Sequence, residues 1–135
     1  MHYQKIARDI NIARDEIQPA NLRCVCLLLY RNRLIAIGLN KAKTHPLIKK
    51  LGYDMYRRRY PLHAELDAWM KAKKREEDFD TMLIYRGYNA DLPSCPCNEC
   101  SKWIKRLTVE VCYTTDRGVA VEYSQKLIGH IKIFE

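Results

Sequence analysis

Two short segments combine metal-binding side chains with a carboxylate, His63-Ala64-Glu65 and Pro96-Cys97-Asn98-Glu99-Cys100. One imidazole and two thiolates supply three ligands for a tetrahedral zinc ion and leave its fourth position open for water. Glu65 follows the histidine closely, so its carboxylate is placed to move protons on and off that water. Three protein ligands with a nearby carboxylate are typical of a catalytic zinc site, because structural zinc sites usually have four protein ligands.

Two other interpretations of these segments are a structural zinc site, with Cys95 or His45 as the fourth ligand, and a cysteine-rich loop without metal. The catalytic interpretation is favoured because both segments fall at predicted helix starts. Cys97 and Cys100 are spaced so that both thiolates lie on one face of a helix. The N-terminus of a helix favours negative charge and lowers the pKa of a thiol, which helps to hold thiolates there.

Hydrophobic periodicity predicts the helices and strands that position these segments. In chain order, the predicted elements are a helix over 3–17, strands over 22–30 and 34–39, a loop over 40–61 with one helical turn near 47–51, a helix over 62–77, a strand over 81–85, a helix over 97–107, strands over 109–114 and 119–123, and a short strand or helix over 128–134. This order predicts an α/β sandwich. Asp116-Arg117-Gly118 is a turn signal, so the strands on either side of it are predicted to be antiparallel neighbours.

The pattern H-x-E…P-C-x-x-C, formed by His63, Glu65, Pro96, Cys97 and Cys100, resembles the zinc-dependent cytidine deaminase superfamily. The resemblance implies a three-layer α/β/α sandwich around a mixed sheet of about five strands. It also implies hydrolytic deamination, in which zinc activates a water and Glu65 carries protons. Cytosine then becomes uracil, and ammonia is released.

The resemblance also implies a set of substrate contacts. The Ala64 backbone N–H and a carbonyl near Cys95 would hold the substrate ring. Asn40 ends the second predicted strand, where superfamily members often have an asparagine that contacts the sugar. An amide suits this role because it both donates to and accepts from a hydroxyl. The alternative for Asn40 is an ordinary strand-end residue that caps a turn.

Two basic segments lie between the second predicted strand and the first motif. Residues 41–46 are similar to part of some phage and viral deaminase-like proteins, which implies that His45 contacts the base and Lys43 a phosphate. Residues 53–60 interleave tyrosines with the arginines at 57–59, a combination that suits single-stranded nucleic acid or one nucleotide phosphate. A solvated basic surface is the alternative for both segments.

Sequence features point to more than one class of substrate. The predicted hairpin of the last two strands resembles the free-nucleoside cytidine deaminases, whereas the deoxycytidylate, tRNA-adenosine and polynucleotide deaminases have a helix between those strands. The formal net charge of +8 indicates an anionic partner. The favoured substrate is a cytosine-containing nucleoside or nucleotide, and the alternatives are single-stranded DNA or RNA and an adenine base. If the protein is not an enzyme, the alternative is a catalytically idle zinc-containing module that binds nucleic acid.

Composition bounds the class of protein. The chain has 135 residues, 47% hydrophobic and 30% charged, which indicates one globular domain over 1–135. No apolar run reaches the ~18 residues that span a bilayer and no apolar signal segment opens the chain, so we expect a cytoplasmic protein without membrane contact. The six cysteines are then expected to be reduced, with Cys95 a free thiol. Related small deaminases commonly form multimers, so the resemblance allows a homo-oligomer.

Overall fold

A computed structural model of the chain describes residues 2–14, 22–53, 60–88 and 92–127. The helices and strands are, in chain order, α1 (His2–Ala13), β1 (Cys24–Tyr30), β2 (Arg33–Leu39), α2 (Pro46–Lys50), α3 (Ala64–Lys74), β3 (Thr81–Arg86), α4 (Asn98–Ile104), β4 (Glu110–Thr115) and β5 (Gly118–Tyr123). Each predicted helix and strand of these ranges is present, with ends that differ by a few residues because helix ends fray. The predictions for 15–17, 54–59, 89–91 and 128–134 fall outside the described residues. Within the described ranges, no helix has the length and apolar composition needed to cross a bilayer.

Five strands form one mixed sheet in the order β2-β1-β3-β4-β5. β3 and β4 are parallel, and the other neighbouring pairs are antiparallel. The β1–β2 hairpin turns at Arg31 and Asn32, which both have a positive φ, as is typical of a turn that matches the twist of the flanking strands. The β4–β5 hairpin turns before Gly118, whose φ of +120° favours glycine. The predicted antiparallel pairing of the last two strands is confirmed.

Helices cover both faces of the sheet. On one face α1 packs against β1 and β3, with Ala7 among the apolar side chains of these strands. On the other face α2, α3 and α4 share a second core with the opposite side chains of the sheet. Because successive side chains of a strand point to opposite faces, Val25 and Leu27 belong to the α1 side and Cys26 to the other. The three-layer α/β/α architecture is therefore confirmed.

α3 lies very close to β2 because small residues face each other where the two elements meet. Gly38 is on β2, and Ala64 and Ala68 are buried residues of the helix beside it. An ideal Cβ built at Gly38 would lie 2.7 Å from the Cβ of Ala68, and closer still to backbone atoms of α3. The larger Trp69 and Met70 of the same helix are only partly buried, and they pack against the same core. The absence of a side chain at Gly38 therefore sets how closely the N-terminal part of α3 approaches the sheet.

Candidate metal centre and active site

Three predicted zinc ligands lie together at the starts of two helices. His63 directly precedes α3, Cys97 directly precedes α4, and Cys100 lies in the first turn of α4. His63 Nδ1 is 3.5 Å from Cys97 Sγ and 3.3 Å from Cys100 Sγ. Zinc bonds of about 2.3 Å to sulfur and about 2.0 Å to nitrogen, at a tetrahedral angle, separate such atoms by about 3.5 Å. The spacing of these three ligand atoms therefore fits a zinc ion.

The protonation of the two thiols also fits a metal site. Hydrogen bonds with Cys100 and His63 lower the pKa of the Cys97 thiol to about 3, although burial opposes this shift. Burial, together with the neighbouring Cys97, raises the pKa of Cys100 well above its usual range. The pair by itself thus holds one thiolate, and a doubly charged ion would stabilise the second. Thiolate and imidazole are ligands that zinc prefers, and among the described residues neither Cys95 nor His45 joins this cluster.

A chain of buried hydrogen bonds ends at the Cys100 sulfur. Trp103 Nε1–H donates to Tyr53 Oη at 2.7 Å, and Tyr53 Oη lies 2.9 Å from Cys100 Sγ. An indole nitrogen only donates, so Tyr53 accepts from Trp103 and its own proton is left to donate to the sulfur. The Tyr53 ring also packs edge-on against His63, with the ring centroids 4.8 Å apart. Tyr53 therefore contacts two members of the cluster, and such outer contacts orient metal ligands and tune the metal.

We expect Tyr53→Phe to weaken zinc binding about 10- to 100-fold, because hydrogen bonds to metal ligands typically contribute that much to affinity. The substitution keeps the ring against His63 and removes only the hydroxyl that meets Cys100. Competition with a chelator of known affinity measures the zinc dissociation constant. Tyr3→Phe is the matched control, since the Tyr3 hydroxyl donates to the Asn32 carbonyl on the α1 side of the sheet. An unchanged zinc affinity in Tyr53→Phe would contradict the role of this hydroxyl.

Glu65 lies in the first turn of α3, close in the chain to His63 but outside the metal-binding cluster. The residue is only 5% exposed. Burial raises the pKa of its carboxyl, and the neighbouring His63 partly opposes this effect. A raised pKa suits a carboxyl for proton transfer, because it makes the carboxylate a better proton acceptor than an ordinary glutamate.

A cleft of about 310 Å³ opens beside the cluster at one edge of the sheet. His63, Glu65 and Cys97 line it together with residues from the ends of β1 and β3 and from the segment before α4. Tyr60 adds an aromatic ring to its wall. Small-molecule sites typically have volumes of about 300 to 1,000 Å³, so the cleft suits a ligand of the size of one nucleotide.

Three of the four predicted substrate contacts, Asn40, Ala64 and Cys95, line this cleft. Cys95 is a free thiol, and burial raises its pKa. His45 is not among the described residues that line the cleft. It precedes α2, where its Nδ1 accepts a hydrogen bond from the Leu47 N–H at 3.1 Å, so its imidazole caps that helix. A contact between His45 and a substrate base stays a prediction.

The Asn40 side chain is held in one orientation by its neighbours. Its Oδ1 accepts from the Cys24 N–H at 2.9 Å and from Arg14 Nη1 at 3.0 Å. Its Nδ2 donates to the Leu22 carbonyl at 2.6 Å, and Arg14 Nη2 also donates to the Asn40 carbonyl at 2.8 Å. An amide nitrogen carries two hydrogens, so one N–H of Asn40 remains to donate to a ligand in the cleft.

Sequence patterns did not predict a role at this site for Arg14 or Arg86. Arg14 follows α1, distant in the chain from Asn40, so no spacing rule connects the two residues. Arg86 ends β3 and lines the cleft. Its position directly after a buried apolar run is a usable signal, because a charged group in such a place needs a partner.

Solved structures of two deaminases share this fold. The crystal structure of the dCMP deaminase from the cyanophage S-TIM5, in its apo form, is 21% identical in sequence and matches 82% of this chain and 77% of its own, with a TM-score of 0.54. That of the cytidine deaminase from Burkholderia pseudomallei is 17% identical and matches 91% of each chain, with a TM-score of 0.61. Comparison of the sequence with protein families and with curated proteins finds no match. The chain therefore has the cytidine deaminase-like fold that the resemblance implied.

Proposed function

We propose that this protein is a zinc-dependent enzyme that deaminates the cytosine base of a nucleoside or nucleotide. The observation that carries the proposal is the meeting of His63, Cys97 and Cys100 beside the separate carboxyl of Glu65 at one cleft. Two proteins with the same fold, a dCMP deaminase and a cytidine deaminase, support this chemistry. The reaction consumes one water and one cytosine, and yields uracil and ammonia.

Each residue of the cluster has a defined task under this proposal. His63, Cys97 and Cys100 hold the zinc ion, which when bound supplies a Lewis acid that activates water near neutral pH. Glu65 accepts a proton from the attacking water and delivers protons to the ring nitrogen and to the departing amine. Because Glu65 lies outside the metal-binding cluster, its carboxylate is available for these transfers.

Three cleft residues position the substrate under the same proposal. The Ala64 N–H and a backbone carbonyl near Cys95 bind the polar edge of the ring, and the Asn40 amide contacts the sugar. The contacts that hold Asn40 in place favour this role, because a ligand then loses little free energy in ordering the side chain.

The cleft volume of about 310 Å³ accommodates one nucleotide, whether it is free or taken out of a single strand. The direct β4–β5 hairpin, which resembles that of the free-nucleoside cytidine deaminases, favours a small substrate. Of the tyrosine- and arginine-rich segment 53–60 that suggested nucleic acid, residues 54–59 lie outside the described part of the chain. Single-stranded nucleic acid and an adenine base are therefore the alternatives that an assay has to separate.

Ammonia release from the zinc-loaded protein tests the proposal. The substrates are cytidine, deoxycytidine, CMP, dCMP, adenosine and an oligonucleotide that contains a single cytosine. We expect release, with the absorbance change from cytosine to uracil, from at least one of the four small cytosine substrates and none from adenosine. If only the oligonucleotide releases ammonia, the substrate has to be assigned as a polynucleotide and not as a nucleoside or nucleotide. No release from any substrate, with zinc bound to every chain, would overturn the proposal in favour of a catalytically idle module.

A further inference from the structure

Arg86 is the last residue of β3 and lines the cleft. It pairs with Cys24 on β1, and the Cys24 N–H donates to the Asn40 side chain at the end of β2. Arg86, Cys24 and Asn40 thus form a row across three neighbouring strands, at the same end of those strands. Neighbouring strands are about 4.8 Å apart, so the backbones of Arg86 and Asn40 are separated by about 10 Å.

The Arg86 guanidinium lacks a partner that nearby arginines have. Its Nε is buried, and no atom of the described residues accepts a hydrogen bond from it. By contrast, Arg14 donates to the Asn40 carbonyl at 2.8 Å and Arg23 donates to the Asn11 carbonyl at 2.6 Å. Buried donors are almost always paired, because an unpaired one costs its full desolvation penalty. Within the described part of the chain, the positive charge of Arg86 is therefore left without a hydrogen-bonded partner at its Nε, on a residue that lines the cleft.

The charges of the cleft indicate what kind of acceptor is missing. Among the described residues that line it, Glu65 is the only carboxylate, and none of the ion pairs between described residues includes Arg86. A neutral carbonyl would take one hydrogen bond and leave the positive charge uncompensated. A phosphate matches the guanidinium in both charge and geometry, because it accepts two parallel N–H bonds from the planar fork.

We infer that Arg86 binds the phosphate of a nucleoside monophosphate, so that the substrate is a cytosine nucleotide and not the free nucleoside. The inference rests on the proposed function for the base and the sugar, and on Arg86 for the phosphate. A single nucleotide fits the volume of the cleft, about 310 Å³. The sugar then lies at Asn40, and the phosphate lies at Arg86 on the other side of Cys24.

Steady-state kinetics with dCMP and deoxycytidine test the inference on the zinc-loaded protein. We expect Arg86→Gln to lower kcat/KM for dCMP about 10- to 100-fold, since a hydrogen bond to a charged group contributes that much. The value for deoxycytidine is expected to stay nearly unchanged. Arg86→Lys keeps the charge but removes the planar fork, so its kcat/KM for dCMP should lie between those of the wild type and Arg86→Gln. Equal losses for both substrates in Arg86→Gln would overturn the inference.

Two controls separate phosphate binding from other effects. Arg117→Gln removes the same charge from the exposed β4–β5 turn and is expected to leave both substrates unaffected. Thermal unfolding of the ligand-free protein reports any structural role of Arg86. We expect Arg86→Gln to keep or raise the unfolding temperature, because it removes a buried unpaired donor. A lower unfolding temperature combined with equal kinetic losses would identify a structural arginine and overturn the inference.

Direct titration makes the test independent of the proposed activity. In Glu65→Gln, dCMP and deoxycytidine can be titrated without turnover, and we expect dCMP to bind more tightly. Adding Arg86→Gln should remove that difference. If Glu65→Gln binds dCMP more tightly than deoxycytidine while the wild-type protein releases no ammonia, the phosphate site is retained and the proposed activity is overturned. If Glu65→Gln binds the two ligands equally while the wild-type protein releases ammonia, the phosphate site is overturned and the activity is retained. An oligonucleotide that depends on Arg86 as strongly as dCMP does would overturn the assignment to a mononucleotide.

Discussion

Glu65→Gln is expected to lower kcat for cytosine deamination by at least about 1,000-fold, because general acid–base groups contribute about 10²- to 10⁴-fold and this carboxyl is proposed to serve every proton transfer. The fold and the zinc content should be retained, since Glu65 is outside the metal-binding cluster and glutamine has nearly the same shape. Ammonia release measures the rate, and mass spectrometry of the native protein measures bound zinc.

Glu110→Gln provides the matched control for this experiment. It makes the same chemical change at an exposed residue that begins β4, so full activity is expected. Glu65→Ala should be as inactive as Glu65→Gln, because neither side chain accepts a proton from water. If either Glu65 variant kept near-normal turnover, the proton transfer would have to be assigned to another group.

Gly38→Ala is expected to lower the free energy of unfolding by more than about 3 kcal/mol, the upper end of typical overpacking costs. The added methyl would meet the Ala64 carbonyl oxygen, the Ala68 nitrogen and the Ala68 Cβ. Two of these atoms belong to the helix backbone, so α3 must move away from β2 as a whole. Since His63 directly precedes α3 and Glu65 lies in its first turn, turnover should fall together with stability. Urea unfolding and ammonia release measure the two effects.

Gly52→Ala distinguishes packing from the general cost of replacing glycine. Gly52 has a φ of +85° and open space around its Cβ position, so only backbone strain of about 1–2 kcal/mol is expected there. Adding Ala68→Gly to Gly38→Ala should not restore stability, because the backbone contacts remain. A Gly38→Ala protein with nearly wild-type stability would contradict the close seating of α3 on the sheet.

The helix on the opposite face of the sheet also contributes to the cleft. Arg14 follows α1 and holds the Asn40 carbonyl and side chain. Asn11 within α1 donates to the Arg23 and Gly87 carbonyls at 3.1 and 2.9 Å. These contacts connect the outer layer to the strand ends that line the cleft. They could not be predicted, because they join side chains from separate segments whose spacing in the chain follows no helical or strand period.

Local patterns account for what the sequence analysis predicted correctly about the fold. The β4–β5 hairpin followed from Asp116-Arg117-Gly118, and the alternation of helices and strands followed from hydrophobic periodicity. The two candidate metal motifs were placed at helix starts, which is where His63 and Cys97 lie. Helix starts, turns and periodicity depend on residues close together in the chain, so one sequence is enough to recognise them.

The amino-acid sequence alone thus established the fold class and named the candidate metal ligands and the carboxylate beside them. The folded chain was needed to reveal Tyr53 at the Cys100 sulfur and Arg86 without an acceptor in the cleft. The physical reason is that burial and hydrogen-bond pairing depend on which distant segments meet in space. A tyrosine or an arginine has the same local signature whether it is solvated or buried at a site, and only its tertiary neighbours distinguish the two cases.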